Sequence, residues 1–501
     1  MTDTALSDTQ QKFLRRLAWA TLVPLGMLVA AMLLKPMWRD EFWSLYFSEP
    51  RFSLPELWRD RMPYEAHPPL YFTLLYLWRQ IADTSEWVRA LAVPFILFGA
   101  LGAWLLARGR RELGLFLMIA AGQYWLIYFT TEARPYALLF VLCALQILIS
   151  ANILERKGSA LSYFWWIVVG ALIGLTHYPA AFWVGCIGLA TGIGLLAQKR
   201  TGGFFAVGVA SVAALLPIIA WLVYAYPMLG DRGGFEETPA NNWQTFLTQM
   251  MRGLTVKLLG SNLALSCLVF AGVGGLWARR ETTDRVLIGA ALLFMLGTAA
   301  IDQFYAPMMR ERSFMPMIPA LLLFMARAIL SVDPNKPWAR RFMIAAPIVA
   351  VISPFLFIPE YFKDREKLPQ FREYMATEAG DCTNAPVIAY MRQRWGHDVH
   401  QREFIDRQMR LAVPGHQPHI LSTAEVTSPV QPSATCRVRG LAMFLRPNEA
   451  ADLEAARAAL QGAGLDLSQL EERRFGKGRN MLWVVPDTAT HEAPSASPTT
   501  P

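Results

Sequence analysis

The sequence predicts an α-helical polytopic membrane protein that ends in a small α/β domain outside the membrane. Three observations predict this fold class. Of the 501 residues, 54% are hydrophobic and only 17% are charged, whereas soluble domains carry about 25% charged residues. Apolar runs of about 20 residues, the length that crosses a bilayer, recur through residues 1–360. After Tyr361 these runs stop and charged residues become frequent.

About eleven transmembrane helices are predicted, with ten or twelve left open because two short runs meet at His177. The candidate spans are 17–37, 88–107, 115–131, 135–153, 161–176, 179–197, 203–226, 258–278, 286–304, 313–331 and 342–360. The first span follows Lys12, Arg15 and Arg16 and is longer than the apolar core of a signal peptide. We therefore expect it to be retained.

Lysine and arginine collect in alternate gaps between the spans: 108–111, 156–157, 199–200, 279–285 and 336–341. With eleven spans these gaps and the basic N-terminus share one side, which the positive-inside rule makes cytoplasmic. The net charge of +8 therefore needs no nucleic-acid partner. The C-terminal domain falls on the outer side.

The predicted domains are a membrane domain over 1–360, an outer α/β domain over 361–488 and a disordered tail over 489–501. Within the first, residues 38–87 form a long outer loop with interfacial helices. In the outer domain, 385–390, 436–445 and 480–485 have the composition of strands, and 448–465 that of a helix.

Five cysteines are present. Cys143, Cys186 and Cys267 lie inside apolar spans, where a cysteine is usually a small buried apolar residue. Cys382 and Cys436 lie in the outer domain and could pair in an oxidising compartment, although sequence does not set their separation. The chain has no Walker motif, dinucleotide-binding glycine pattern or HExxH motif, so we expect no nucleotide or redox cofactor.

The residues with chemical potential lie mostly at predicted outer helix ends. Asp40 and Glu41 follow the first span and could supply a general base and a metal ligand, or merely favour a helix start. His67 precedes two prolines and an apolar, aromatic run that suits an interfacial helix. It could bind a ligand or make a structural hydrogen bond.

Glu132 and Arg134 lie between two spans, where charge is costly unless it faces a cavity or a partner. They could equally form a salt-bridged turn. Arg310 and Arg312 flank Glu311 at another outer end, and arginine suits phosphate binding as well as contact with lipid headgroups. Two weaker candidates are the turn at His177 and Tyr178 and the loop 231–237, which could cover a substrate or be a linker.

Taken in order, these motifs resemble one family over roughly residues 10–360. The order is an acidic pair after the first span, HPPLY, EARPYAL, a THY turn and RERSFMPMIPALL. It resembles the GT-C superfamily of membrane glycosyltransferases. Most similar is the branch of protein mannosyltransferases and bacterial lipid A aminoarabinose transferases, glycosyltransferase family 39.

The resemblance implies a GT-C fold in a bacterial inner membrane and a sugar donor carried on a polyprenyl phosphate. It implies transfer at the outer face, usually with inversion at the anomeric carbon. The same resemblance implies a role for each candidate residue. Asp40 is the expected base, Glu41 assists it, and Glu132 organises the site or, together with Asp40, binds a divalent metal. The donor phosphate is expected at Arg134, Arg310 and Arg312, and support for substrate or metal at His67, His177 and Tyr178.

The acceptor stays open among lipid A or another glycolipid, polysaccharide and protein. A transporter or flippase of a lipid-linked substrate is the main alternative, and it would need inverted repeats or discontinuous helices. A non-catalytic scaffold is a third, and it would tolerate the loss of Asp40 and Glu132.

Overall fold

Helices fill most of the first 361 residues, as the apolar runs predict. The structure is a computed structural model. It describes residues 7–37, 39–65, 67–82, 89, 93–156, 158–230, 248, 251, 258–279, 281–304, 311–362, 386–390, 419–421, 438–445, 454, 457, 458, 461, 467, 468, 470–475 and 480–486. The predicted loop 231–237, the tail 489–501, Arg310, Cys382 and Cys436 lie outside the described residues.

The helices begin where the sequence offers caps or prolines. Ser7 forms a capping box with Gln10, and Ser159 accepts the amide of Ser162. The bounds are α1 Asp8–Ala20, α2 Leu22–Leu34, α3 Arg39–Phe47, α4 Leu54–Glu56, α5 Leu70–Arg79, α6 Val93–Ala107, α7 Arg111–Gly122, α8 Tyr124–Thr130, α9 Tyr136–Arg156, α10 Ala160–Gly174, α11 Tyr178–Ala197, α12 Thr201–Gly230, α13 Leu263–Arg279, α14 Thr282–Phe304, α15 Ile318–Leu330, α16 Pro337–Leu356 and α17 Ile358–Tyr361.

Short helices of other kinds connect them. Residues Leu57–Arg61 form a π-helix, and the described part of the chain has three 3₁₀ helices: Met62–Tyr64, Gly260–Asn262 and Glu311–Met317. The first two lie in the predicted first outer loop.

The membrane helices agree with the predicted spans. Among the described residues, seven segments are long and apolar enough to cross a bilayer, and one bent pair and three shorter apolar helices bring the candidates to eleven. Each overlaps one predicted span. The prediction of a polytopic helical membrane protein is confirmed.

One predicted span, 115–131, is not a continuous helix. α7 and α8 meet at 67°, with the break at Gln123. All seven residues of α8 are buried. An apolar run shows that a segment avoids water but not whether it is straight, because a buried bend is equally apolar.

A cluster of charged residues joins the helix ends that the predicted topology places in the cytoplasm. Arg327 of α15 is 5% exposed and donates to Asp284 at 2.5 Å and to Glu112 at 2.7 Å. It also bonds Glu155 and Glu281. This one guanidinium group therefore ties together α7, α9, the residue before α14, and α14 itself.

The C-terminal region contains a five-stranded mixed sheet in the order β2-β1-β3-β5-β4. Its strands are β1 Pro386–Tyr390, β2 His419–Leu421, β3 Val438–Leu445, β4 Glu471–Phe475 and β5 Asn480–Pro486. β1 runs parallel to β2 and β3, while β5 runs antiparallel to β3 and β4. Three of these strands match predicted ones, and β2 and β4 do not. In the predicted helix, Glu454, Arg457, Ala458 and Gln461 are helical.

The chain divides into two compact units. The first contains residues 1–35, 47–230 and 235–363; the second contains 36–46, 231–234 and 364–501. The start of α3 therefore belongs to the second unit, with the C-terminal sheet, and the candidate membrane helices belong to the first.

Candidate active site

The turn between α8 and α9 holds two buried charges, Glu132 and Arg134. The hydroxyl groups of Thr130 and Thr131 donate to carbonyls one turn back in α8, and Pro135 opens α9. Glu132 is 2% exposed and Arg134 is 4% exposed. Burying such charges is costly unless each has partners of opposite charge, and both have them.

Lys35, directly after α2, is the partner of Glu132. Its Nζ lies 3.2 Å from Glu132 Oε1 and donates to the Tyr128 carbonyl at 2.9 Å. The same ammonium group lies 4.3 Å from the centre of the Tyr128 ring. A carboxylate, the carbonyl end of a helix and an aromatic face therefore hold one cation.

Arg134 is paired with the first outer loop. His67 Nδ1 lies 2.8 Å from Glu65 Oε1, so we assign its proton to that bond. Arg134 Nη2 lies 3.1 Å from Nδ1 and 3.3 Å from Nε2, and with the proton on Nδ1 it donates to Nε2. Arg134 Nη1 is also 3.7 Å from Glu65 Oε1. The three side chains form one buried network.

His177 meets this network at the turn between α10 and α11. The amide of Leu70, at the start of α5, donates to the Leu175 carbonyl at 3.0 Å and fixes the HPP segment beside this turn. The ring centroids of His67 and His177 are 5.3 Å apart. The edge of Tyr136 faces His177 at 6.2 Å.

The surroundings of His177 favour a neutral ring. Burial first, then the nearby His67, Arg312 and Arg134, hold the pKa of His177 well below its usual range. Its Nδ1 atom is buried without a hydrogen-bond partner in the part of the chain that the structure describes. A neutral, buried imidazole beside two arginines is suited to hydrogen bonding with a ligand.

Arg312 belongs to the same region, since its charge acts on His177. The 3₁₀ helix Glu311–Met317 that carries it packs against α9 and α11. Tyr178 has a different place: its hydroxyl accepts from Trp221 Nε1 at 3.1 Å and ties α11 to α12.

An apolar cavity of about 430 Å³ adjoins Trp221. Trp58 of the first outer loop packs edge-on against Trp221, with ring centroids 5.6 Å apart. The cavity is lined by Pro55, Trp58, Arg59, Leu175, Pro217, Ala220, Trp221 and Tyr224. One of its lining residues, Leu175, precedes His177 by two positions in the sequence.

Asp40 and Glu41 lie in the first turn of α3, in the second unit. Glu41 is fully buried and Asp40 is half-buried. The Ser44 hydroxyl donates to the Asp40 carbonyl at 3.2 Å, as in a regular helix turn. The structure thus brings Glu132, Arg134, His67, His177 and Arg312 together in the first unit, and describes the acidic pair separately.

The chain was compared with protein families, curated proteins and solved structures, and only the solved structures match it. No family model and no curated protein matches the chain. Crystal structures of ArnT from Cupriavidus metallidurans do: the apo form has a TM-score of 0.58 at 12% identity, over 93% of this chain and 97% of that one. The form bound to undecaprenyl phosphate has a TM-score of 0.56 at 12% identity, over 94% and 98%.

The chain has the fold of ArnT. The likeness extends over nearly the whole of both chains, so it confirms the fold that the motif resemblance implies. It also confirms a helical membrane architecture with many spans. At 12% identity the likeness concerns the fold, and the roles of individual residues remain predictions.

The predicted metal at Glu132 does not fit the residues around it. The Lys35 ammonium already lies 3.2 Å from Glu132 Oε1. Within the described ranges, no three side chains of histidine, cysteine, aspartate or glutamate gather as a metal site requires. We therefore route no step of the mechanism through a metal.

Two residues of this site, Lys35 and Glu65, were not predicted from the sequence. A lysine at the end of a span usually extends to the membrane surface, yet Lys35 is 7% exposed. Glu65 stands two residues before His67, and its nearness to the HPP motif was the available signal.

Proposed function

We propose that the chain is a membrane glycosyltransferase that moves a sugar from a polyprenyl-phosphate donor to an acceptor at the outer face of a bacterial inner membrane. One observation supports the proposal: Arg134, His67, His177 and Arg312 converge at helix ends that the predicted topology places outside, in a fold shared with a protein crystallised with undecaprenyl phosphate. In this arrangement the amino terminus is cytoplasmic and the C-terminal domain is periplasmic.

The phosphate of the donor is assigned to the cationic side of this site. Arginine binds phosphate oxygens with two parallel hydrogen bonds, which suits Arg134 and Arg312, with Arg310 in the same motif. A neutral His177 adds a hydrogen bond. These groups would stabilise the negative charge that develops on the departing lipid phosphate. The apolar cavity beside Trp58 and Trp221 offers space for part of the lipid.

The acceptor needs a base. In the proposed reaction its hydroxyl or amino group attacks the anomeric carbon and gives its proton to the Asp40 carboxylate. The bond from that carbon to the phosphate oxygen breaks on the opposite side, which inverts the configuration. Glu41 and Glu132 orient the base and the acceptor.

The Asp40→Asn variant tests this proposal. We expect loss of transfer by about 10²–10⁴-fold, because the amide cannot accept the proton. The measurement compares the masses of glycolipids and lipopolysaccharide extracted from membranes that contain equal amounts of each protein. Asp333→Asn, at an exposed position, is the matched control. A sugar-sized mass that persists in Asp40→Asn would contradict the base assignment.

A flippase for a lipid-linked substrate is the second candidate, and the break between α7 and α8 favours it, because transporters use discontinuous helices. A flippase moves its lipid without changing the mass of any acceptor. An absence of any mass difference between cells with and without the protein, together with transbilayer movement of the lipid, would support it.

A further inference from the structure

Lys35 is a buried charged group to which the mechanism so far gives no role. Its side chain is 5% exposed and that of Glu132 is 1% exposed. Ammonium groups are strongly hydrated, so removing one from water is costly without several compensating contacts. Lys35 contacts the Glu132 carboxylate, the Tyr128 carbonyl and the Tyr128 ring.

The site of this ammonium group is built by α8. The helix is wholly buried, and its last carbonyls point towards the turn that carries Glu132. A cation is favoured there, because the carboxyl end of a helix carries partial negative charge. Since Tyr128 and Glu132 are four residues apart, a single cation can bind the first by its carbonyl and the second by its side chain.

The pair places a positive charge directly beside the Glu132 carboxylate. A carboxylate removed from water tends to take up a proton unless an opposite charge lies beside it. Lys35 supplies that charge at 3.2 Å. A divalent metal would have to displace this ammonium group to reach the same oxygen.

We propose that Lys35 is a positioning residue that keeps Glu132 ionised and oriented, in the place where a metal ion would otherwise be needed. The role of Lys35 in transfer rests on the proposed function. The claim that the cation beside Glu132 is an ammonium group and not a metal does not. Transfer by this chain is therefore independent of divalent metal at Glu132.

The first experiment uses Mn²⁺ as the probe and requires no transfer. The full-length protein in detergent is titrated with Mn²⁺, and free Mn²⁺ is followed by electron paramagnetic resonance. We expect the wild type and Glu132→Gln to bind the same number of Mn²⁺ ions. Loss of one bound equivalent in Glu132→Gln would overturn the proposal, whatever the protein's function.

The second experiment separates positioning from folding. We expect Lys35→Met to lower transfer by about 100-fold, the scale of a misplaced catalytic group, while undecaprenyl phosphate binding changes less than about threefold. Lys35→Arg, which keeps the charge, should restore transfer to within about tenfold of the wild type. Lys336→Met, at an exposed site, is the control, and EDTA should leave the wild-type rate unchanged.

Three results would overturn the proposal: full transfer by Lys35→Met, no rescue by Lys35→Arg, or loss of wild-type transfer in EDTA. If Lys35→Met folds poorly, the double variant Lys35→Met/Glu132→Gln is used instead, because it also removes the carboxylate that would be left unpaired. It should recover the wild-type melting temperature and stay inactive. A double variant that is active would also overturn the proposal.

If even the wild type shows no transfer, the proposed function fails. The Mn²⁺ titration then still decides whether a metal ion or Lys35 is the cation beside Glu132.

Discussion

At the scale of single residues, His177 shows how burial sets the charge of this site. Burial and the neighbouring His67, Arg312 and Arg134 lower its pKa well below the usual value. The folded protein therefore keeps His177 neutral under conditions where the unfolded chain binds a proton. Stability from this group is complete above about pH 6.5, the ordinary histidine value, and is lost as the pH falls below it.

We predict that the wild type loses up to about 1.4 kcal/mol of stability per pH unit below pH 6.5 through this residue. The measurement is the melting temperature in detergent at pH 7.5 and pH 5.5. His177→Asn removes the titrating group, so its melting temperature should fall less over the same range. Equal decreases in the two proteins would show that another group is responsible.

Residue types predicted most of the side chains in the site, but they did not predict which side chains pair with each other. Glu132, Arg134, His67, His177 and Arg312 drew attention because charge and imidazole are rare at helix ends in an apolar chain. The partners of these groups were beyond prediction. Which cation reaches Glu132 depends on how α2 packs beside α8, and spacing along the chain carries no record of that packing.

At the scale of elements, hydropathy predicted the helices well and their shape poorly. Each of the eleven candidate spans overlaps a described apolar helix or helix pair. The 67° bend at Gln123 was missed because both arms are buried and apolar. In the C-terminal sheet, β1, β3 and β5 are apolar strands and were predicted, whereas β4, with the sequence EERRF, has no apolar alternation to detect.

Contact between α13 and α15 depends on one glycine. A Cβ atom at Gly272 would overlap the backbone carbonyl of Ala328, while one at Gly274, in the same helix, would meet nothing within 4 Å. The Ser331 hydroxyl also donates to the Gly272 carbonyl at 2.8 Å. Small residues of this kind let membrane helices approach closely.

We predict that Gly272→Ala destabilises the protein by about 1–3 kcal/mol, because backbone must move to admit the methyl group. Gly274→Ala is the matched control, and it should leave stability unchanged or slightly raised, since alanine favours the helix. Thermal unfolding in detergent compares the two variants with the wild type. An equal melting temperature for both variants would mean that α13 and α15 can move apart without a loss of stability.

At the scale of the whole molecule, the described part of the first unit contains two clusters of buried ion pairs. One is the network around Glu132 and Arg134, and the other is the cluster around Arg327. α9 carries a residue of the first at its start and of the second near its end, Tyr136 and Glu155. The two clusters therefore lie near opposite ends of one helix of 21 residues, about the length that crosses a bilayer.

This arrangement makes the outer cluster the one available to a lipid phosphate in the proposed function, and binding there should stabilise the whole fold. We predict that undecaprenyl phosphate raises the melting temperature, since a ligand at 100 times its dissociation constant adds about 2.7 kcal/mol. Undecaprenol, which lacks the phosphate, is the control for the lipid chain and should give a much smaller increase. Arg312→Ala should reduce the gain from the phosphate without changing the effect of undecaprenol. If both lipids stabilise the wild type equally, the apolar cavity alone binds the lipid, and the cationic residues have another role.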